Sequence, residues 1–96
     1  MTNQEIIKTL KELKEELFKK YNIKSMGIFG SYARGDEKPD SDVDVLVEYN
    51  NIPTLFELCN LEINLEGYLK RRVDLVEKYS IKKGLEDHIL NEVVYL

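Results

Sequence analysis

Two acidic residues separated by one position, Asp42 and Asp44, lie in the β-branched run of residues 42–47. In a strand, residues i and i+2 project to the same face, so both carboxylates point the same way. At a spacing of about 6–7 Å they repel each other unless a cation lies between them. Oxygen ligands of this kind suit Mg²⁺ or Mn²⁺ and not zinc. The alternative is a solvated strand edge that begins with acids.

A Gly-Ser pair, Gly30 and Ser31, directly follows the short apolar segment of residues 25–29. The next residues, up to Arg34, are expected to form one helical turn that Gly35 ends. Gly30 lets a ligand approach the backbone closely, and the N–H groups of the turn with the Ser31 hydroxyl form a cradle for phosphate oxygens. Taken alone, such a pair is more typical of an ordinary turn.

A third acid, Asp74, lies inside the apolar segment of residues 73–76. Burying a carboxylate in such a strand is costly unless it is paired or binds a metal. If this strand neighbours the strand of Asp42 and Asp44, the three carboxylates converge. An ion pair with Arg72 or a neighbouring base, or exposure to solvent, is the alternative. Together, a phosphate-binding turn and three acids on two strands are the components of two-metal phosphoryl or nucleotidyl transfer.

The elements that must position these groups can be predicted from caps and periodicity. Thr2 and Glu5 form a capping box that begins a helix over residues 3–21. A second long helix begins after Thr54, and we expect Cys59, on its apolar stripe, to be buried in the core. This helix has more apolar positions than one core stripe needs. The remaining predictions are strands over residues 25–29, 43–47 and 73–76, and a last helix around residues 82–92. This order predicts an α+β (α/β-like) fold, a small mixed β-sheet flanked by helices.

Length and composition restrict the class of protein. The 96 residues are expected to form one domain over residues 1–96, and a single cysteine excludes an internal disulfide. No apolar run reaches the roughly 18 residues of a membrane-spanning helix, and the start does not resemble a signal peptide, so we expect a cytoplasmic protein. Residues 36–48 carry a net charge of −5 and the other 83 residues sum to +1. This distribution argues against a nucleic-acid-binding surface.

The motif as a whole resembles that of a known family. Gly30-Ser31, ten intervening residues and then Asp42-Val43-Asp44 are similar to the signature of the minimal nucleotidyltransferases, within the polymerase-beta-like nucleotidyltransferase superfamily. The resemblance extends over essentially the whole chain and implies the nucleotidyltransferase fold.

The resemblance also implies a role for each site residue. Gly30 and Ser31 would hold the β- and γ-phosphates of ATP, and Arg34 would contact phosphate or orient the loop, unless it forms a surface ion pair with Asp36 or Asp40. Asp42 and Asp44 would bind two Mg²⁺ ions. Asp74 would complete the first metal site and help to deprotonate the acceptor.

The same resemblance implies a partner. Short members of this family are commonly encoded beside a HEPN ribonuclease toxin and act as its antitoxin, by adding AMP to a tyrosine of the toxin. We therefore expect an ATP- and Mg²⁺-dependent protein adenylyltransferase, and homo-oligomers or hetero-oligomers with the toxin are both compatible with the sequence. One alternative is an antitoxin that occludes its partner without catalysis. Another is a transferase that acts alone on a small molecule or nucleic acid.

Overall fold

The computed structural model describes residues 2–81 and 84–96, which form helices on a four-stranded sheet. The helices are α1 (Asn3–Tyr21), the single turn α2 (Ser31–Arg34), α3 (Leu55–Leu69) and α4 (Glu86–Glu92), with a 3₁₀ turn at Lys78–Ser80. The strands are β1 (Ile23–Phe29), β2 (Val43–Tyr49), β3 (Val73–Glu77) and β4 (Val94–Tyr95). The predicted α+β fold with a small mixed sheet is confirmed.

The strand order across the sheet is β3-β2-β1-β4. β1 pairs antiparallel with both β2 and β4, whereas β2 and β3 run parallel. The parallel pair needs a crossover connection, and α3 supplies it. The predicted neighbourhood of the second and third strands is therefore confirmed, and it brings Asp44 and Asp74 into register.

Both long helices begin where the sequence predicts, α1 at the predicted capping box and α3 at a second box that was not predicted. The Thr2 hydroxyl accepts from the N–H of Glu5, and the Glu5 carboxylate accepts from the N–H of Thr2. Thr54 and Glu57 form the same reciprocal pair at the start of α3. Each box satisfies N–H groups that the first turn of a helix leaves without a partner, and this fixes where the helix starts.

The core lies between one face of the sheet and the helices α1 and α3. Alternate residues of β2 face it, as the period of two predicts, and α1 and α3 contribute the other side chains. The cluster includes Val43, Val45, Val47, Tyr49, Ile6, Leu10, Leu17, Leu61, Leu65 and Leu69. The opposite face of β2 carries Asp44, Leu46 and Glu48, so the first of the strand's acids lies on the face that does not meet the long helices.

Three features depart from the sequence-based prediction. Cys59 is exposed and not in the core, because α3 turns Leu61, Leu65 and Leu69 toward the sheet and leaves the neighbouring apolar stripe outside. The last helix begins at Glu86 and not near residue 82; Gly84 has a φ of +104° in the turn before it, and Lys82 and Lys83 lie outside the described residues. The strand β4 was not predicted.

Among the residues that the structure describes, no helix is both long enough and apolar enough to cross a membrane.

Candidate active site

The turn that follows β1 has a backbone that only glycine adopts readily. Gly30 has φ +73° and ψ −151°, a region that L side chains avoid. The N–H groups of Ala33 and Arg34 both donate to the carbonyl of Gly30, at 3.1 Å each. Gly35, in the left-handed region, ends the turn and donates to the carbonyl of Ser31 at 2.9 Å. The predicted helical turn with a glycine stop is confirmed.

Gly30 is also in direct contact with the first acidic strand. A Cβ atom added to Gly30 would overlap Oδ2 of Asp44 and lie 3.0 Å from its Cγ. Phe29, the residue before the turn, pairs with Asp44 across the antiparallel strands. The Gly-Ser turn and the Asp42–Asp44 segment, which are separate in sequence, therefore form one surface.

The third predicted acid lies on the next strand. Asp74 of β3 is the register partner of Asp44 on β2, and neighbouring strands lie about 4.8 Å apart. Asp74 is exposed, whereas Asp44 is half-buried. Asp42 immediately precedes β2 and is exposed, with Oδ1 4.0 Å from Nε of Arg72. Arg72, considered as a partner for Asp74, is thus placed near Asp42.

The electrostatics of Asp44 follow from this crowding. Burial first, and then the negative charges of Asp74 and Asp42, together raise the pKa of its carboxyl to about 6. Glu92 adds a smaller contribution of the same sign, which Arg34 partly offsets. A half-buried carboxylate surrounded by other carboxylates is stabilised most directly by a bound cation.

The acidic side chains offer the ligand atoms that a magnesium ion prefers, although they do not form a closed ligand cage. Within residues 2–81 and 84–96, no three Asp, Glu, His or Cys side chains lie close enough together to hold a metal ion between them. The carboxylate of Asp42 lies beside the guanidinium of Arg72. The donor set nevertheless consists of carboxylate oxygens, which Mg²⁺ prefers, and Mg²⁺ usually keeps several waters and takes only one or two carboxylates.

A cleft of about 460 Å³ lies between this turn, the start of β2 and α4. Five of the six predicted site residues line it, namely Gly30, Ser31, Arg34, Asp42 and Asp44. Asp74 is not part of the lining, but its register with Asp44 places it on the neighbouring strand beside the cleft. The cleft is large enough for part of a nucleotide, because small-molecule sites typically occupy about 300–1,000 Å³.

Arg34 occupies one side of the cleft in an ion-paired state. Its Nε lies 3.1 Å from Oδ2 of Asp36, and Nη1 contacts Oε1 of Glu92. The hydrogen bond to Asp36, and then the one to Glu92, raises the pKa of the Arg34 guanidinium above its ordinary value. The ion pair with Asp36, which the sequence analysis gave as the alternative to a phosphate contact, is therefore present. Arg34 nevertheless lines the cleft.

The sequence reasoning missed the contribution of α4. His88, Ile89 and Glu92 line the cleft from this helix, and Glu92 also lies 4.0 Å from Nε2 of His88. His88 is exposed on its helix, as predicted. The spacing of His88 and Glu92 places them on one helical face, but only the path of α4 across the sheet shows that this face meets the cleft.

Comparison with known proteins agrees with this geometry. The nucleotidyltransferase domain family matches residues 10–96. A protein adenylyltransferase, MntA, from Thermococcus cleftensis is 46% identical over 96 residues, which cover 100% of this chain and 97% of the relative.

Two solved structures share the fold. A minimal nucleotidyltransferase has a TM-score of 0.86 and 31% identity, covering 100% of this chain and 97% of that one. A chain from the complex of a tri-AMPylated Shewanella oneidensis HEPN toxin with an MNT antitoxin has a TM-score of 0.61 at 21% identity, covering 88% and 69%. At that identity the second likeness concerns the fold alone. The resemblance found in the sequence motif is confirmed, and this chain belongs to the nucleotidyltransferase domain family.

Proposed function

We propose that this chain transfers the adenylyl group of ATP to a tyrosine hydroxyl of a HEPN-domain toxin and thereby neutralises it. The observation that carries this proposal is the contact between Gly30 of the phosphate-binding turn and Asp44, whose register partner is Asp74. It joins the predicted phosphate cradle to two carboxylates on adjacent strands. The name of the Thermococcus cleftensis relative, a protein adenylyltransferase, supports transfer to a protein.

Each site residue has a distinct task in the proposed reaction. The Ser31 hydroxyl and the backbone of the turn bind the β- and γ-phosphates, since the first N–H groups of a helical turn have no partner within it. Asp42 and Asp44 hold Mg²⁺, of which we propose two ions. When bound, Mg²⁺ supplies Lewis-acid stabilisation of the charge on the phosphate oxygens.

The bond changes balance as follows. A bond forms between the acceptor oxygen and the α-phosphorus, while the bond from that phosphorus to the bridging oxygen breaks and diphosphate leaves with the electron pair. The proton of the acceptor hydroxyl passes to a carboxylate oxygen of Asp74. Asp74 is suited to this role because it is exposed next to Asp44 and can be reached from outside the cleft.

Arg34 is proposed to exchange partners when ATP binds. It lies at the cleft with a charged guanidinium, and its present partners are the carboxylates of Asp36 and Glu92. Two oxygens of a phosphate group can accept the same bidentate pair of hydrogen bonds from a guanidinium, and the group carries more negative charge than a carboxylate. Because the reaction consumes ATP, we propose the cytoplasm as its location.

The test is intact-mass spectrometry of the protein encoded beside this chain, which we propose to be the HEPN-domain toxin, after incubation with the chain, ATP and Mg²⁺. We expect whole-number additions of AMP that disappear with EDTA. We also expect none with the double variant Asp42→Asn with Asp44→Asn. Transfer at the wild-type rate by that double variant would show the proposal to be wrong.

The same experiment separates a purely occluding antitoxin from an enzyme. If the HEPN-domain protein remains unmodified, yet forms a complex with this chain and loses its ribonuclease activity, then binding alone neutralises it. Modification of a small molecule or an oligonucleotide without any protein partner would instead indicate a transferase that acts alone.

A further inference from the structure

We propose that the outer face of α3 and the edge of β3 form the docking surface for the acceptor protein. The contact surface of that acceptor is then apolar and carries lysine or arginine. This inference rests on the proposed function, because it assigns the surface that brings an acceptor hydroxyl to Asp74. We call it the α3–β3 surface, and its apolar part consists of Ile52, Leu55, Phe56, Cys59 and Ile63.

These apolar residues form a continuous stripe that the core does not use. Within α3, Leu55, Phe56, Cys59 and Ile63 recur at i, i+1, i+4 and i+8, which places them along one side of the helix, and Ile52 lies shortly before the N-cap residue. The exposed fractions are 89% for Ile52, 77% for Leu55 and 80% for Phe56. Ile63 is 66% exposed, and Cys59 is also exposed. Apolar side chains scattered singly are normal on a surface, but a contiguous row of them indicates an interaction site.

The stripe continues into a groove beside the edge strand. A groove of about 340 Å³ lies between α3 and β3, and its walls include Leu55, Leu58, Cys59, Leu75 and Val76. β3 lies at one end of the strand order, so its outer side has no neighbouring strand among the described residues. Backbone groups on such an edge remain available to another chain.

The groove ends close to the candidate active site. Val76, in its wall, follows Asp74 by two residues on β3, so both side chains are on the same face, about 6–7 Å apart along the strand. Asp74 and Val76 lie on the face of the sheet opposite α3, so a protein seated on the α3–β3 surface reaches Asp74 by extending around the edge of β3. An acceptor that bound to the β4 edge, at the other end of the sheet, would not.

The polar groups of the surface show which partner chemistry fits. Glu57, Glu62 and Glu66 are the charged residues of α3, which has no lysine or arginine between Leu55 and Leu69. A second copy using the same face in a symmetric dimer would place these acids against one another. These three glutamates therefore favour a basic partner over a second copy of this chain.

One buried acid, Glu77, marks the place where a basic side chain of the partner would bind. Glu77 is 8% exposed and lines both the groove and an adjoining cavity of about 540 Å³ near Ile52. Its Oε1 atom has no hydrogen-bond partner within residues 2–81 and 84–96, and neither has the hydroxyl of Tyr49 in the same cavity. Leaving such buried groups unpaired is costly. A lysine or arginine inserted by the partner would supply the missing donors.

The proposal is tested with matched surface variants and the HEPN-domain protein encoded beside this chain. Phe56→Ser removes an exposed apolar side chain from the α3–β3 surface, and Leu85→Ser removes one that is 54% exposed from the turn before α4. By titration calorimetry we expect Phe56→Ser to raise the Kd for the HEPN-domain protein by about tenfold or more, and Leu85→Ser to leave it unchanged. We expect Glu77→Gln to weaken binding in the same direction.

A kinetic measurement separates docking from chemistry. If Phe56 acts in docking, Phe56→Ser raises the KM for the protein acceptor by the same factor and leaves kcat at saturating acceptor within about twofold of wild type. Binding of ATP to the isolated variant stays unchanged. Asp44→Asn should show the converse, with transfer lost and binding of the HEPN-domain protein retained.

Several results would overturn the proposal. The proposal is wrong if Phe56→Ser and wild type bind the HEPN-domain protein with equal affinity. It is also wrong if the wild type does not bind that protein at all. Wild-type self-association that Phe56→Ser abolishes in sedimentation would show that a second copy covers the surface. If instead the wild type binds through this surface but transfers no AMP, the proposed function fails while the docking surface stands.

Discussion

The Cα of Gly30 lies against the carboxylate of Asp44, so that a methyl group on Gly30 would overlap Oδ2. The Gly-Ser turn and the acidic strand are thus in close contact, and only a residue without a side chain leaves room for the carboxylate of Asp44. Gly30 also has a φ of +73°, which an L side chain adopts only with strain. Its size and its backbone conformation both favour glycine at this position.

Gly30→Ala should therefore abolish most of the AMP transfer. A displacement of about 1 Å in a catalytic group can cost about 10²-fold in rate, and we expect a loss of that order. The matched control is Gly67→Ala in α3, where an added Cβ meets nothing within 4 Å. That change should leave transfer unaltered and stabilise the protein by about 0.5–1 kcal/mol. Rates from intact-mass time courses and thermal unfolding check both; an active Gly30→Ala protein would contradict the contact.

The stability of the metal-free protein should fall as pH rises from about 4 to about 6. The pKa of Asp44 is raised from 3.8 to about 6 by burial and by Asp74 and Asp42. In this range the unfolded chain has already lost a proton that the folded chain retains, so the free energy of unfolding decreases with pH. Because the carboxyl is half-exposed, solvent screening limits the effect to roughly 1 kcal/mol.

The variant Asp44→Asn isolates this effect. It should lack the decrease and be more stable than wild type above pH 6 in EDTA, as measured by thermal unfolding. Added Mg²⁺ should stabilise wild type above pH 6 and have little effect on Asp44→Asn, because binding to the folded state alone raises its stability. Identical pH profiles for the two proteins in EDTA would show that Asp44 is not the group responsible.

Arg34→Ala should weaken ATP binding. The guanidinium lies at the cleft between Asp36 and Glu92, and its removal deletes a positive charge that the phosphates would meet. We expect the KM for ATP to rise about tenfold, since a charged hydrogen bond contributes about 1.5–3 kcal/mol. Arg71→Ala removes a charge from a different surface depression and serves as the control. Equal KM values for both variants would exclude a phosphate contact by Arg34.

Leu61→Ala should destabilise the fold far more than Ile63→Ala. Leu61 is fully buried in the core cluster, whereas Ile63, two residues later on α3, is 66% exposed. Truncation of a buried leucine costs about 2–5 kcal/mol, while a surface truncation usually changes stability by less than about 0.5 kcal/mol. Urea denaturation monitored by circular dichroism measures both. Equal costs would mean that the two faces of α3 are wrongly assigned.

The local signals in the sequence predicted most of the elements. The capping residues Thr2 and Thr54 determine the starts of α1 and α3, and the β-branched run after Asp42 became β2. These features depend on neighbours within four residues, so a short window of sequence contains them. The motif spacing, in turn, identified Gly30, Ser31, Asp42 and Asp44, which the structure brings together around one cleft.

What the sequence did not reveal depends on contacts between distant segments. Cys59 and Leu61 are both apolar positions of α3, and only the docking of the helix on the sheet determines which of them is buried. β4 has two residues and exists through its pairing with Gly27 and Ile28 of β1. Glu92 reaches Arg34 across 58 positions of the chain. No local pattern indicates such partners.

The exposed carboxylate of Asp74 has a consequence that is separate from chemistry. β3 is the outermost strand on its side of the sheet, and an open strand edge invites pairing with other molecules and the growth of aggregates. A charge at the second position of that edge strand opposes pairing of one copy with another, because each added strand would bring the same charge close to it. Loss of Asp74 would thus remove a charge that protects the protein against aggregation, whatever its role in chemistry.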